Sequence, residues 1–386
     1  MKICLYSLSP KTGGGVIVKT LLLLRYLIKN NHEVVWVYPR VDGILPLYVQ
    51  QFLEAHEIHT IEIKTIPYLR VFDSIDFFRE IKGVYDVYQV VSGYCLDGMV
   101  FNRVPQKYFI WSATTLRSEK YSVKFINIKS LKHLLSYINI KIGLSLEQYA
   151  ARHAYKIFAA SSLSRLKIIS ELNLESTKVE VLNPIIDTER YSYKSISSRP
   201  KKEDYVLYMG IFSERKNIDL LVRSFVHVHR ESKYIQLKLV GKINGLGEYF
   251  EKLIKSLGLE SCVEIVGEVA DNTIWYQNAI CTVLTSYEEG FGMVLAESLS
   301  CGTPVISTNS GGVSDIVKDG INGFLVNYDE KEISQSILKL HENIDMRERF
   351  SANGRKHVEA LFSIDAIGSK ILAEYHEFLD KKNNDS

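Results

Sequence analysis

No two cysteines in this chain have the spacing of a metal or redox pair. The five present, Cys4, Cys95, Cys262, Cys281 and Cys301, are odd in number, lie mostly in apolar strand-like runs and form no C-x-x-C. A disulfide scaffold is excluded, and buried, reduced thiols in a cytoplasmic protein are expected. H-E-x-x-H and G-x-S-x-G are also missing, so a hydrolase reading has neither a zinc site nor a nucleophile elbow. Histidines such as His227 and His229 are scattered as solvated or core residues, and nothing resembles a metal-ligand cluster. No basic leader or cleavage site precedes the first strand-like run, Lys2-Ile-Cys-Leu-Tyr-Ser7, and export is not expected. The most apolar helix-like run, Val16 to Ile28, is interrupted by Lys19 and Arg25 and is too short to span a bilayer. A net charge of +2 demands no acidic partner, and nucleic acid is not expected as one.

What is present is an ordinary globular composition, 46% hydrophobic and 24% charged, over 386 residues, enough for two domains with a full core each. Apolar runs at Lys2 to Ser7, His32 to Tyr38, Tyr85 to Val91, Lys107 to Trp111 and Ala154 to Ala160 alternate with helix-like segments. That alternation predicts a parallel, doubly wound sheet. A second series opens at Tyr205 to Met209 and continues through Gln236 to Gly241 and Val263 to Val269.

The chemistry concentrates in one stretch, Thr285-Ser-Tyr-Glu-Glu289-Gly290-Phe291-Gly292-Met293-Val294-Leu-Ala-Glu297-Ser298. It follows the strand-like run Cys281 to Leu284 and leads into a helix-like segment, so it is a loop at the carboxyl end of a strand, where open α/β sheets bind ligands. Glu289 falls just before the helix and Glu297 about two turns into it, so both carboxylates can clamp hydroxyls in one cleft. Gly290 and Gly292 allow close backbone approach, and a helix start offers bare N–H groups to an anion. Hydroxyl clamps beside an anion site suit a nucleotide sugar. The competing reading is a solvated first turn with ordinary surface glutamates.

Two further stretches point the same way. Arg215 and Lys216 stand where the strand Tyr205 to Met209 gives way to a helix, against its dipole, which suggests a bound diphosphate; a solvated basic pair is the alternative. Lys11-Thr-Gly13-Gly14-Gly15 links the first strand to a helix and can hold phosphate or simply make a tight turn. It is not the dinucleotide fingerprint, because the third glycine of G-x-G-x-x-G falls at Val18.

The run from Glu289 to Glu297, followed by Gly302-Thr-Pro-Val305 and Gly311-Gly312-Val313, resembles the retaining glycosyltransferases of family 4. The resemblance implies the GT-B fold, two Rossmann-like doubly wound parallel-sheet domains facing across a cleft. It places an acceptor-side domain at residues 1–187, ending near Val179-Glu-Val-Leu-Asn-Pro-Ile-Ile-Asp187, and a donor-binding domain at 188–362. The final helix, 363–386, is then expected to cross back onto the first domain. The polar run Tyr191 to Asp204 is the expected linker. The resemblance implies transfer of a sugar from a UDP or GDP donor to a glycan or lipid-linked acceptor with retention, in bacterial surface polysaccharide biosynthesis. Lys216, with Arg215, neutralises the leaving diphosphate in this picture; Glu289 holds sugar hydroxyls and Glu297 the ribose. Val269 meets the base, and the loop Gly13 to Gly15 lies beside the diphosphate. No Asp-x-Asp occurs, which metal-dependent GT-A enzymes carry, and neither metal nor cofactor is expected.

This chain departs from the family at Ile211, after Gly210, where an arginine is usual, and at Ser314-Asp315, where Pro-Glu is usual. Trp111-Ser-Ala-Thr-Thr115 also lacks the acceptor-side histidine. Residues 116–156 carry eight Lys or Arg against two acids, interleaved with large apolar residues. Such a segment can dock on an anionic leaflet, or equally cover the sheet as an ordinary helix with a solvated basic face. A nucleotide-sugar epimerase of the same fold and a non-catalytic nucleotide-sugar binder remain as alternatives.

Overall fold

The computed structural model describes residues 1–12, 14–40, 44–63, 85–102, 104, 106–116, 131–196 and 204–384. Gly13, residues 117–130 of the basic stretch, 197–203 of the expected linker and the last two residues lie outside the described part. The chain divides into two compact units, Met1–Ile185 with Ile364–Ser386, and Ile186–Ser363.

The first unit holds β1 (Lys2–Ser7), β2 (Glu33–Pro39), β3 (His59–Ile63), β4 (Val87–Ser92), β5 (Phe109–Ser112), β6 (Lys156–Ala159) and β7 (Val179–Val181). They pair in parallel in the order β3-β2-β1-β4-β5-β6-β7. Its helices include α1 (Gly15–Lys29), α2 (Leu47–His56), α3 (Leu131–His153) and α4 (Ser162–Leu172). β4 and β5 are buried along their whole length, as central strands of a parallel sheet are when helices cover both faces, and they carry Gln89, Ser92 and Ser112 into the interior with the apolar residues. One face packs Leu5, Trp36, Phe109 and Trp111 beneath α1, together with Ile367, Ile371 and Tyr375 from the end of the chain. Each fully buried aliphatic side chain there contributes about 1.5–3 kcal/mol. The strand order reverses between β1 and β4, so the carboxyl ends of these two strands flank a switch point.

The second unit repeats the plan with β8 (Tyr205–Met209), β9 (Gln236–Val240), β10 (Val263–Gly267), β11 (Cys281–Leu284), β12 (Val305–Thr308) and β13 (Gly323–Val326). Their parallel order is β10-β9-β8-β11-β12-β13. Around them lie α5 (Ile218–Glu231), α6 (Gly247–Ser256), α7 (Thr273–Asn278), α8 (Met293–Ser300), α9 (Val313–Ile316), α10 (Glu330–Glu342) and α11 (Ile344–Phe362). The last helix, α12 (Ile364–Asn384), belongs to the first unit, where Gly368 lies against the ring of Tyr26 and Tyr375 Oη donates to Gln89 Oε1 at 3.0 Å. A β-carbon at residue 368 would overlap that ring, so only glycine lets α12 pack this closely. In the second unit the order reverses between β8 and β11. The loops leaving those two strands are therefore neighbours, although 73 residues separate Lys216 from Glu289.

Both sheets match the doubly wound architecture expected from the alternation of runs. The strand limits moved by one or two residues, as at β4, which ends at Ser92. Tyr191, the first residue of the expected linker, is buried in the core of the second unit. No described helix is long and apolar enough to cross a membrane.

Candidate functional site

Lys216 ends a single 3-10 turn, Glu214–Lys216, that follows β8, and Asn217 then takes a left-handed conformation before α5 begins. This tight exit aims the Lys216 side chain across to the loop after β11. There its Nζ donates to Glu289 Oε1, with both side chains largely buried at 13% and 8% exposure. The same carboxylate oxygen accepts from Ser286 Oγ at 2.8 Å and lies 3.4 Å from an Arg215 guanidinium nitrogen. Arg215 is half exposed, and its guanidinium also donates to the carbonyl of Glu288. Two backbone-directed bonds fasten the two loops: Tyr287 N donates to Arg215 O at 2.9 Å, and Thr285 Oγ1 donates to Asn217 O at 2.8 Å.

The loop is also held from its other side. Gly312 N donates to Glu289 O at 2.8 Å, and Thr308 Oγ1 donates to Ser286 O at 2.9 Å. Gly311 sits at φ +67°, and a β-carbon there would run into the Glu289 carbonyl. Glycine is thus required at 311 by both backbone conformation and space. Gly311 and Gly312 thus fix the Glu289 backbone.

Beyond Glu289 the chain opens at the exposed Gly290, buries Phe291 and enters α8 through Gly292 at φ +97°. Phe291 packs edge-on against Phe362 at 5.2 Å, so what it offers a ligand is backbone, not ring. No side chain caps α8, and its first turn, Met293 and Val294, is half buried and carries no acid. A helix start left without a cap suits an anion. Val269 lies half buried in the loop after β10, packed on the core.

Glu297 occupies a different setting from Glu289. It lies inside α8, nearly fully buried, and accepts from Tyr276 Oη at 2.8 Å. Burial pushes its carboxyl above the ordinary range, against the hydrogen bonds of Tyr276 and Tyr191 and the nearby charge of Arg190. A polar relay stands behind it: Arg190 donates to Asn272 Oδ1 at 3.4 Å, and Asn272 Nδ2 donates to the Tyr191 hydroxyl at 3.3 Å. Sequence reasoning missed Tyr276, Tyr191, Asn272 and Ser286. Ser286 stands three residues before Glu289 and was within reach of a spacing argument, whereas Tyr191 was assigned to a linker.

The expected site residues thus fall into distinct groups. Arg215, Lys216 and Glu289 come together; Gly290, Phe291, Gly292, Met293 and Val294 continue from Glu289 as one backbone path; Glu297 has its own tyrosine-lined setting. Ile211, where an arginine is usual, is half exposed and supplies no cation. In the first unit, Gly14 at φ +84° precedes α1, which starts at Gly15 with no side-chain cap. Among the described residues, no group of three His, Cys, Asp or Glu side chains is placed to hold a metal ion.

Residues 190–357 match the family described as glycosyl transferases group 1. The chain is 28% identical over 263 residues to the capsular polysaccharide biosynthesis glycosyltransferase CapM of Staphylococcus aureus, a match covering 65% of this chain and 67% of that protein. It is 24% identical over 246 residues to a D-inositol 3-phosphate glycosyltransferase of Paenarthrobacter aurescens, covering 60% and 59% of the two. Across the relatives it matches, the chain spans from about half to two thirds of their length. Among solved structures, Anabaena Alr3699/HepE in complex with UDP-glucose superposes with a TM-score of 0.77 at 20% identity over 98% of this chain and 100% of that one. The sucrose-phosphate synthase of Thermosynechococcus elongatus gives 0.76 at 19% identity over 98% and 99%. With its two parallel-sheet units the chain has the GT-B fold, and its residues 190–357 are similar to the glycosyl transferases group 1 family.

Proposed function

We propose that the chain transfers a sugar from a nucleoside diphosphate sugar to a glycan or lipid-linked acceptor, with retention of configuration and without a metal. The observation that carries this reading is the buried contact of Lys216 with Glu289, flanked by Arg215 and the uncapped start of α8. A sugar diphosphate brings two demands to such a place, negative charge to be neutralised and hydroxyls to be held. Lys216 and Arg215 meet the first, and Glu289 meets the second. Both cations also face Glu289 Oε1, which holds them side by side.

On this reading, negative charge grows on the departing diphosphate as the sugar bond breaks. Lys216, Arg215 and the α8 amides stabilise it more in the transition state than in the ground state, which is what accelerates the step. Glu289 orients the sugar through its hydroxyls, Glu297 holds the ribose, and the backbone near Val269 meets the base. No protein nucleophile is required, because the leaving phosphate can take the acceptor proton on the same face. UDP is the first nucleotide to test, since Alr3699/HepE was captured with UDP-glucose. A role in surface polysaccharide assembly is supported by the likeness to CapM. A peripheral position at the inner membrane face, through the basic stretch 116–156, belongs to the same proposal.

The test is a thermal-shift panel with UDP, GDP, ADP and their sugar conjugates, with magnesium or with chelator. Ligand at a hundred times its dissociation constant adds about 2.7 kcal/mol. The expected result is a shift with one nucleotide family, equal in both conditions and lost in Glu297→Ala. Absence of any shift would overturn the donor site. Sugar isomerised in the absence of acceptor would favour the epimerase instead.

A further inference from the structure

Two large aromatic side chains of the second unit stand in solvent beside the loop that carries Glu289. Tyr287, in that loop, is 61% exposed, and Tyr328, which follows β13, is 47% exposed. Their rings stack with centroids 5.6 Å apart and planes 29° apart, an offset arrangement that leaves ring faces open to a ligand. Both residues are held in place. Tyr328 Oη donates to the carbonyls of Ser286 and Tyr287 at 3.0 and 3.2 Å, and Tyr287 N donates to Arg215 O at 2.9 Å. Single exposed aromatics are ordinary, but a contacting pair anchored through its polar atoms is a rigid, preformed surface with little conformational entropy left to lose on binding.

The side chains along the loop separate this surface from the donor contacts. Ser286 and Glu289 are buried and share a hydrogen bond, whereas Tyr287 and Glu288 between them are exposed. A ligand on the rings is therefore a different group from the one at the Lys216–Glu289 contact, although it lies on the same loop. What suits the rings is a pyranose. Its C–H bonds gather on one face and carry partial positive charge, which meets the negative face of an aromatic ring, while its hydroxyls point outward around the edge. Glu288, Asn327 and Asp329, each adjacent in sequence to one of the tyrosines, are exposed and flank the rings with polar groups for those hydroxyls.

We propose that Tyr287 and Tyr328 form a glycan-binding platform on the second unit, which holds sugar residues of the acceptor chain outside the donor site. The role in transfer rests on the reading above and narrows it: the acceptor is an oligosaccharide or a longer glycan, and residues beyond its reacting end contribute to its binding. The binding itself does not depend on that reading, because it uses neither Lys216 nor Glu289. Stacking of this kind is worth about 0.5–1.5 kcal/mol for one aromatic contact, which sets the scale of the expected effect.

The experiment is calorimetric titration of the full chain with maltohexaose, cellohexaose, laminarihexaose and chitohexaose, and with glucose for comparison. Expected are binding of at least one hexasaccharide, no comparable binding of glucose, and an affinity lower by about 3- to 10-fold in Tyr287→Leu and in Tyr328→Leu. Tyr287→Trp, which keeps an aromatic face, is expected to bind as well as the unsubstituted chain or better. Tyr287 is exposed, so its replacement leaves the core intact, and an unchanged UDP shift in the variants shows that fold and donor site persist. Failure of all four hexasaccharides to bind, or equal binding in the double variant Tyr287→Leu with Tyr328→Leu, overturns the platform. If UDP itself gives no shift, the transferase reading fails separately, and the hexasaccharide titration still decides the two tyrosines.

Discussion

Replacing Lys216 by alanine separates stability from turnover, and the geometry gives a magnitude for each. The substitution removes the ammonium facing Glu289 Oε1 and leaves a carboxylate with 8% side-chain exposure. Breaking one partner of a buried pair costs about 3–5 kcal/mol when nothing replaces it. Here Ser286 Oγ still donates at 2.8 Å and Arg215 remains at 3.4 Å, so the loss of stability is expected at about 1–3 kcal/mol. For turnover, Lys216 is the less exposed of two cations proposed to meet the departing diphosphate, and one such contact is worth about 2–4 kcal/mol. That corresponds to a turnover lower by about 30- to 1,000-fold. Coupled detection of released nucleoside diphosphate measures the rate, and denaturant unfolding measures the stability. The double variant Lys216→Ala with Glu289→Gln removes the orphaned charge and is expected to recover stability without recovering rate. A purified Lys216→Ala protein turning over at a near-normal rate would remove Lys216 from the mechanism and with it the reading of this pair.

The pH dependence of stability tests a second buried acid. Glu147, in α3, accepts from Leu116 N with both oxygens, at 3.1 and 3.0 Å, and burial raises its carboxyl to about 7. The folded chain therefore holds this proton more tightly than the unfolded one, so its contribution is complete below about pH 4.5 and lost as pH rises toward 7. The shift amounts to about 3 kcal/mol, and Glu147→Gln is expected to flatten denaturant stability between pH 5 and 8; an unchanged slope would refute the assignment. Gly311→Ala adds a β-carbon against the Glu289 carbonyl at a left-handed position. A stability loss of about 1–3 kcal/mol and a weaker nucleotide shift are expected, and a thermal midpoint equal to that of the unsubstituted chain would contradict the role given to this turn.

Much of the architecture was legible because it is written in local patterns. Mostly apolar runs such as Val87 to Ser92 read as buried strands, and their alternation with helices leads to parallel sheets with helices on both faces. The loop from Thr285 to Gly292 was legible too, since strand, glycines and helix follow one another along the chain. Less was legible wherever partners are distant in sequence. Tyr191 looked like linker because its neighbours are polar, yet it is buried and reaches Asn272 and Glu297. Spacing put Glu289 and Glu297 at different depths toward one cleft, and the hydroxyl partners of each, Ser286 for Glu289 and Tyr276 for Glu297, came only with the tertiary structure.

By itself, then, the sequence determined the class of fold and the strand-to-helix loops after β8 and β11, because periodicity and glycine placement act within a few residues. Only the tertiary structure decided which charges meet. The reversal of strand order between β8 and β11 makes neighbours of Lys216 and Glu289, and Gly311 exists to hold the backbone between them. In the first unit, packing of α1 on the sheet turns one lysine of an apolar helix onto Trp111 and away from any carboxylate among the described residues. A side chain's partner and its dielectric surroundings depend on contacts that close only when the whole sheet has formed, and no spacing along the chain records them.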